Sequence, residues 1–244
     1  MIPKVLYLYW GGDPLSWLRY LTVVSFKKYN PDWTVKINSP AEPSGIVNWG
    51  TDEQRTQYKG KNYAKPQLYF DMKEVGMNNS MSEVHKSDIF RLWVLSTFGG
   101  VYCDFDVLFT KPLPKIDKRT YSYNNHYSIG FLAAEQGDEI MNQLINFAKT
   151  NTSIGKYQSY GSTLWSRALD EEPKGWNLPK NFIYSYDWTQ VDSLFNKTVT
   201  LPPDAVGIHW YGGSSVASEW ENKLTPTNYK QFDSTIVNII KELA

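Results

Sequence analysis

Asp104 and Asp106 stand one residue apart in the apolar stretch "GGVYCDFDVLFTKPLP" (99–114). In an extended chain both lean to the same side. Two carboxylates side by side in a dehydrated cleft repel, and one tends to protonate. A divalent cation removes that conflict. Mg²⁺ or Mn²⁺ takes hard oxygen ligands, often one or two carboxylates with phosphate oxygens and water. The pair therefore suits a cation that bridges protein and a diphosphate. A bare Asp-x-Asp is a weak pattern, because a solvated edge strand tolerates two acids. Three features argue against that bland reading. The Gly99-Gly100 turn places the stretch as a sheet strand, and its opposite face is wholly apolar. Pro112 and Pro114 then end it, which puts the acids near the strand's C-terminal end, where α/β folds bind ligands.

The preceding segment adds a second constellation. Ser87, Asp88 and Arg91 share one helix face by their i, i+3 and i, i+4 spacing. As an ordinary exposed ion pair this would contribute only a few tenths of a kcal/mol. As a site, Asp88 would accept sugar or ribose hydroxyls and Arg91 would contact phosphate or a sugar oxygen. His209 and Trp10 lie in apolar runs and, taken alone, read as core residues. His85 and His126 keep that same reading. Cys103, the single cysteine, reads as a buried structural thiol.

These residues need elements to hold them. "KVLYLYW" (4–10) is a continuous apolar run, as for a strand buried on both faces. "DPLSWLRYLTVVSFKKYN" (13–30) reads as a helix, with Asp13 as its cap and Pro14 in its first turn. "TVKIN" is short and β-rich, so the opening is β-α-β, the unit of a parallel sheet. Residues 39–60, rich in Pro, Gly and polar residues, read as a loop or a small excursion. "KPQLYFDMKEVG" (65–76) reads as a short helix. The next helix is expected to open on a Ser80–Glu83 capping box, to carry Ile89, Leu92, Trp93 and Ser96 as its stripe, and to stop at Gly99. One strand then follows, with Val101, Cys103, Phe105, Val107 and Phe109 on one face and Tyr102, Asp104, Asp106, Leu108 and Thr110 on the other. In the second half, "YSYNNHYSIGFLAAE", "NFIYSYDW" and "AVGIHWYGGSS" read as strands. "DEIMNQLINFAKT", "GSTLWSRALDEE" and "YKQFDSTIVNIIKELA" read as helices.

Composition bounds the rest. Lys plus Arg and Asp plus Glu both number 25, so no long-range field draws the chain to nucleic acid or an anionic membrane. The chain shows no signal-peptide pattern and no run of the ~20 apolar residues that a spanning helix needs. This predicts a cytoplasmic protein, with peripheral membrane association left open. Aromatic residues make up 16%, enough for both core packing and stacking on flat ligands.

"HKSDIFRLWVLSTFGGVYCDFDV" resembles the core motif of the DXD-containing sugar transferases of glycosyltransferase family 32, whose core is related to that of clostridial glucosylating toxins. Ser87, Asp88, Arg91, Gly99, Gly100, Tyr102, Asp104 and Asp106 match it, and Trp10 and Gly12 match the family's opening block. "NPDW", "GFLAAEQGDEI", "GSTLWSRAL" and "AVGIHWYGGSS" resemble further blocks. Departures are Tyr7 for the frequent His, Ser162 for the usual Pro, and Val216 where a Trp commonly follows the C-terminal Ser. The resemblance implies a single-domain GT-A fold, a Rossmann-like, mainly parallel sheet flanked by helices. Residues 1–110 would be its nucleotide-sugar half and 111–244 its acceptor half. It implies Mn²⁺- or Mg²⁺-dependent transfer from a nucleoside-diphosphate sugar, UDP ahead of GDP, to a glycan or other hydroxyl, with retention, as in polysaccharide biosynthesis. Tyr9, Trp10 and Tyr102 would face the nucleoside. Ser87, Asp88 and Arg91 would hold ribose and sugar. Asp104, Asp106 and His209 would hold metal or diphosphate, with Asp88, Arg91, Asp104 and Asp106 carrying catalysis. Two other readings stand beside it. A metal-dependent phosphohydrolase usually needs more carboxylates or histidines. A non-catalytic carbohydrate-binding protein would use the Trp and Tyr residues as platforms.

Overall fold

A computed structural model describes residues 1–11, 14–45, 57–150 and 156–243. Strand β1 (Val5–Tyr9) lies inside the main sheet, and its residues alternate between two cores. Tyr7 and Tyr9 face one, Leu6 and Leu8 the other. Helix α1 (Trp17–Tyr29) starts later than expected. Its cap is Ser16, whose hydroxyl accepts the Arg19 amide at 3.2 Å. The expected cap Asp13, and Gly12 beside it, lie outside the described residues. Strand β2 (Thr34–Pro40) runs parallel to β1, completing the expected β-α-β unit.

Residues 65–76 do not form a helix. Leu68–Phe70 make edge strand β3, parallel to β2, and Met72–Val75 follow as a 3₁₀ turn capped by Asp71 and closed by Gly76 at φ 73°. Pairing with Asn38–Pro40 outweighs the local helical pattern. Helix α2 (Glu83–Phe98) opens on Ser82, not Ser80, because the Ser82 hydroxyl reaches the His85 amide. It ends at Gly99, whose φ of 68° suits glycine.

The strand expected through Asp104 and Asp106 is two strands. β4 (Gly100–Cys103) sits between β1 and β7 (Tyr127–Ala134) in the main sheet, while β5 (Val107–Phe109) leaves it and pairs with β9 (Gly207–His209) in a second, two-stranded sheet. The two acids occupy the break. The predicted apolar face nonetheless survives, since Val101, Cys103, Phe105, Val107 and Phe109 share one core. Tyr102 and Leu108, expected on the opposite face, are buried in two other cores.

The remaining elements are β6 (Thr120–Tyr123), β7 (Tyr127–Ala134), α3 (Glu139–Thr150), α4 (Ser162–Ala168), β8 (Trp176–Asn177), α5 (Val191–Asn196), β9 (Gly207–His209), α6 (Ser215–Lys223) and α7 (Thr235–Leu243). "NFIYSYDW" is not a strand. Two 3₁₀ turns, Lys180–Phe182 and Trp188–Gln190, overlap its ends, and the second is fixed by a reciprocal Asp187–Gln190 cap. The terminal helix is shorter than expected, with a separate 3₁₀ turn at Tyr229–Gln231.

The main sheet has the order β3-β2-β1-β4-β7-β6-β8, parallel through its first four strands, with β7 antiparallel to both neighbours. Helices α2, α3 and α4 cover one face, while α1 packs against β5. This is the mainly parallel, helix-flanked α/β architecture expected. Among the described residues no helix is long and apolar enough to cross a membrane.

Candidate active site

A cleft of 550 Å³ opens where the C-terminal ends of β1 and β4 meet the loops of the second half. Open α/β sheets bind ligands at such strand ends. Tyr9, Trp10, Ser87, Asp88, Arg91, Asp104, Asp106 and His209 all line it. Tyr102 does not. It is fully buried beneath the wall, where its hydroxyl lies 2.9 Å from Ser87 Oγ and donates to Asp104 Oδ1 at 2.7 Å.

Helix α2 presents Arg91 to this network. Its guanidinium pairs with Asp88 Oδ1 at 2.8 Å, approaches Asp104 at 3.4 Å, and donates to the Ile129 carbonyl at 2.8 Å. It also lies over the Tyr102 ring, 4.6 Å from its centre. Burial works against the Arg91 charge, but Asp104, Tyr102 and Asp88 hold it cationic. Burial pushes the Asp88 carboxyl up to about 7 against the pull of Arg91, and Asp104 adds to the rise. This is a fully buried ion pair, unlike the exposed helix pair that spacing alone describes.

The second network centres on Asp106. The Gly212 amide donates to Asp106 Oδ2 at 2.8 Å, and the Trp210 amide to its carbonyl at 2.8 Å. His209, brought opposite Val107 by the β5–β9 pairing, places Nε2 3.2 Å from Asp106 Oδ1. Asp106 Oδ1 and the other ring nitrogen of His209, Nδ1, are buried without hydrogen-bond partners among the described residues. Burial opposes the Asp106 charge, yet His209, Arg19 and the Gly212 amide hold its carboxyl below the usual range.

Asp104, Asp106 and His209 each offer one ligand atom, and these lie within 4.8 Å of one another. Two carboxylate oxygens and an imidazole nitrogen suit a borderline-hard divalent cation. The orphaned Asp106 Oδ1 fits that use, and so does Gly130. A Cβ at Gly130 would come within 2.9 Å of Asp104 Oδ2 and 3.3 Å of His209 Nε2. Glycine there keeps the space between the ligands open.

Several cleft residues escaped the sequence reading. Arg19 forks onto Glu221 at 2.5 and 3.1 Å, donates to the Gly212 carbonyl at 3.0 Å, and lies 4.5 Å over Trp10. It thereby ties α1 and α6 to the turn that carries the Gly212 amide. Glu83, read as a capping residue, is buried and accepts from Lys86, from the Ser44 amide and from the Tyr9 hydroxyl. No local pattern marks Arg19–Glu221, which are 202 positions apart. Buried Lys86 three residues after Glu83 was the available signal for the other pair. Ser214 caps α6, and Trp220 packs in the core against Phe195, away from the cleft lining. His85 sits in a hydrogen bond with the Lys156 carbonyl at 3.0 Å, while exposed His126 lines the rim. Cys103 is buried.

Residues 20–125 match the family described as the glycosyltransferase sugar-binding region containing DXD motif. No curated protein matches the sequence. Among solved structures, the glycosyltransferase GlyE of Streptococcus pneumoniae TIGR4 is similar at 14% identity, a TM-score of 0.51, and coverage of 100% of this chain and 64% of that one. The chain thus spans less than two thirds of GlyE. LgtC in complex with donor and acceptor sugar analogs gives 12% identity, 93% and 99% coverage and a TM-score of 0.45. The UDP-bound glycosyltransferase domain of the YGT toxin gives 12%, 62% and 62%, and 0.43. The likeness to GlyE shows the fold, which is of the GT-A glycosyltransferase type. Residues 20–125 thus resemble the DXD-containing sugar-binding region of glycosyltransferases.

Proposed function

We propose that this chain is a glycosyltransferase that moves a sugar from a nucleoside-diphosphate sugar to a glycan or other hydroxyl, with the help of Mn²⁺ or Mg²⁺. One observation carries the reading: Asp104, Asp106 and His209 converge beside the Asp88–Arg91 pair in one cleft. When bound, a divalent cation neutralises charge on the leaving diphosphate. Asp106 and His209 would be its inner ligands, with Asp104 reaching it or the ribose. Arg91 would stabilise the departing negative charge electrostatically. Asp88, held by Arg91, would orient sugar hydroxyls, with Ser87 beside it. Tyr9 and the Arg19-backed face of Trp10 would receive the nucleoside, while Tyr102 supports Asp104 from beneath. UDP is placed ahead of GDP. Residues 1–110 would supply most donor contacts, with His209 and the 211–213 turn added from the acceptor half.

In the transfer the bond from the anomeric carbon to the diphosphate oxygen breaks, and one to the acceptor oxygen forms. The acceptor proton needs a base. Among the described residues, each carboxylate lining the cleft is already engaged: Asp88 by Arg91, Asp104 by Tyr102, Asp106 by Gly212 and Glu83 by Lys86. This favours attack on the leaving-group face, where the diphosphate oxygen takes the proton and configuration is retained.

The test is nucleoside-diphosphate release from a panel of UDP- and GDP-sugars, with and without Mn²⁺, by wild type and Asp106→Ala. Release that needs Mn²⁺ and is lost in the variant is expected. Equal release by both proteins, or release without metal, refutes the assignment. Binding of glycans with no response to nucleotide would point to a carbohydrate-binding role.

A further inference from the structure

The candidate cation cradle has a fourth polar wall, which the roles above leave unused. Tyr184 follows the first 3₁₀ turn of the segment Lys180–Phe182 and is 6% exposed. Its ring tilts against His209, with centroids 5.2 Å apart. Its hydroxyl has no hydrogen-bond partner among the described residues. A buried hydroxyl left unpaired is costly, so a native protein keeps one for a reason. Three other tyrosines near the site spend theirs inside the protein: Tyr9 on Glu83, Tyr102 on Asp104, Tyr211 on the Tyr186 carbonyl.

The place to which the hydroxyl points is specific. A Cβ built on Gly130 would lie 3.0 Å from the Tyr184 oxygen, 2.9 Å from Asp104 Oδ2 and 3.3 Å from His209 Nε2. The three polar atoms thus face one small space that glycine leaves open. Seven buried side-chain polar atoms lack partners among the described residues. Those of Asp106, His209 and Tyr184 belong to residues lining the cleft, and the other four do not. The unpaired atoms on residues that line the cleft therefore belong to two candidate ligands and this tyrosine.

We propose that Tyr184 is a positioning residue of the cation site, its hydroxyl donating to an oxygen that the cation carries. That oxygen belongs to a coordinated water or to the nucleoside diphosphate. The inference rests on the cation reading above and adds a residue to it.

Tyr184→Phe tests it by thermal melting and by titration with Mn²⁺ alone, then with UDP or GDP in the presence of Mn²⁺. Without ligands the variant should melt at or above the wild-type temperature, since an unpaired hydroxyl is gone. With Mn²⁺ and nucleotide the order should reverse. The affinity loss should be about fivefold, the value of one neutral hydrogen bond. A loss already present with Mn²⁺ alone identifies water as the partner, and a loss only for the nucleotide identifies phosphate. Equal affinities in both proteins overturn the proposal, as does a variant that melts lower by the same amount with and without ligands. A wild type that gains nothing from Mn²⁺ with either nucleotide overturns the cation reading itself.

Discussion

Gly130→Ala is a one-carbon test of the cradle. Gly130 lies in β7, and its carbonyl accepts the Asp104 amide at 2.9 Å. Its φ is not in the left-handed region, so the backbone accepts alanine. The new Cβ would meet Asp104 Oδ2 at 2.9 Å and the Tyr184 hydroxyl at 3.0 Å. Reaching ordinary contact requires each to retreat by about 0.4–0.5 Å. Metal sites tolerate departures of only about 0.2 Å in ligand distance. Overpacking costs typically about 1–3 kcal/mol. Here it should fall at the low end, because the Asp104 side chain is 28% exposed and can yield. The expected pattern is a small drop in melting temperature with Mn²⁺ affinity reduced tenfold or more, about 1.4 kcal/mol. Calorimetric titration with Mn²⁺ and a melt in its absence give the two numbers. An alanine variant that binds Mn²⁺ like wild type would refute the claim that this glycine keeps a cation cradle open.

Arg19→Ala leaves Glu221 buried without its cation and should cost about 3–5 kcal/mol in denaturant unfolding. It should also weaken Mn²⁺-dependent nucleotide binding, because the turn bearing Gly212 loses its anchor. Gly99→Ala forces a side chain into a left-handed backbone, where its Cβ would lie 2.6 Å from the Gln136 amide nitrogen. A loss of at least about 1–3 kcal/mol in unfolding free energy is expected. Asp88 holds its proton more tightly in the folded chain, so the native state binds more protons than the unfolded one between the ordinary carboxylate range and about pH 7. Its contribution to stability therefore falls as pH rises through that window. Asp88→Asn should melt with a flatter profile from pH 5 to 8 than wild type, and identical profiles would contradict it.

The legible parts of the site were those written in local spacing. Asp88 and Arg91 lie one helical turn apart, and Asp104 and Asp106 flank one residue, so short-range geometry brings each pair together. The β-α-β opening was equally readable from Leu6 to Ile37, because a strand buried on both faces leaves a continuous apolar run. What failed depended on distant partners. Periodicity continues unbroken from Val101 to Phe109 although the chain changes sheets between them, since the change is set by β9, about a hundred residues later. Leu68–Phe70 followed Asn38–Pro40 into the sheet against their own helical pattern. Tyr184 looked like a strand residue, and nothing near Arg19 announces Glu221.

The sheet change has a consequence for charge. A continuous strand would have left Asp104 and Asp106 two positions apart on a single face, with one neighbourhood between them. The break gives each its own. Asp104 falls to the Arg91–Tyr102 network of α2 and β4, while Asp106 falls to His209 and the Gly212 amide of the second sheet. Around them Glu83, Asp88 and Glu221 are matched by Lys86, Arg91 and Arg19. Against the effect of burial, Asp106 and Asp104 favour the charged form of His209, which must lose its proton to act as a ligand. With that proton gone and all five acids ionised, the three permanent cations leave two negative charges, those of Asp104 and Asp106. Unscreened like charges a few ångströms apart in a partly buried cleft are costly, and a single divalent ion cancels that excess. With the charge of that ion spent on Asp104 and Asp106, a diphosphate would depend on hydrogen-bond donors that line the cleft, among them Arg91 and the Tyr184 hydroxyl.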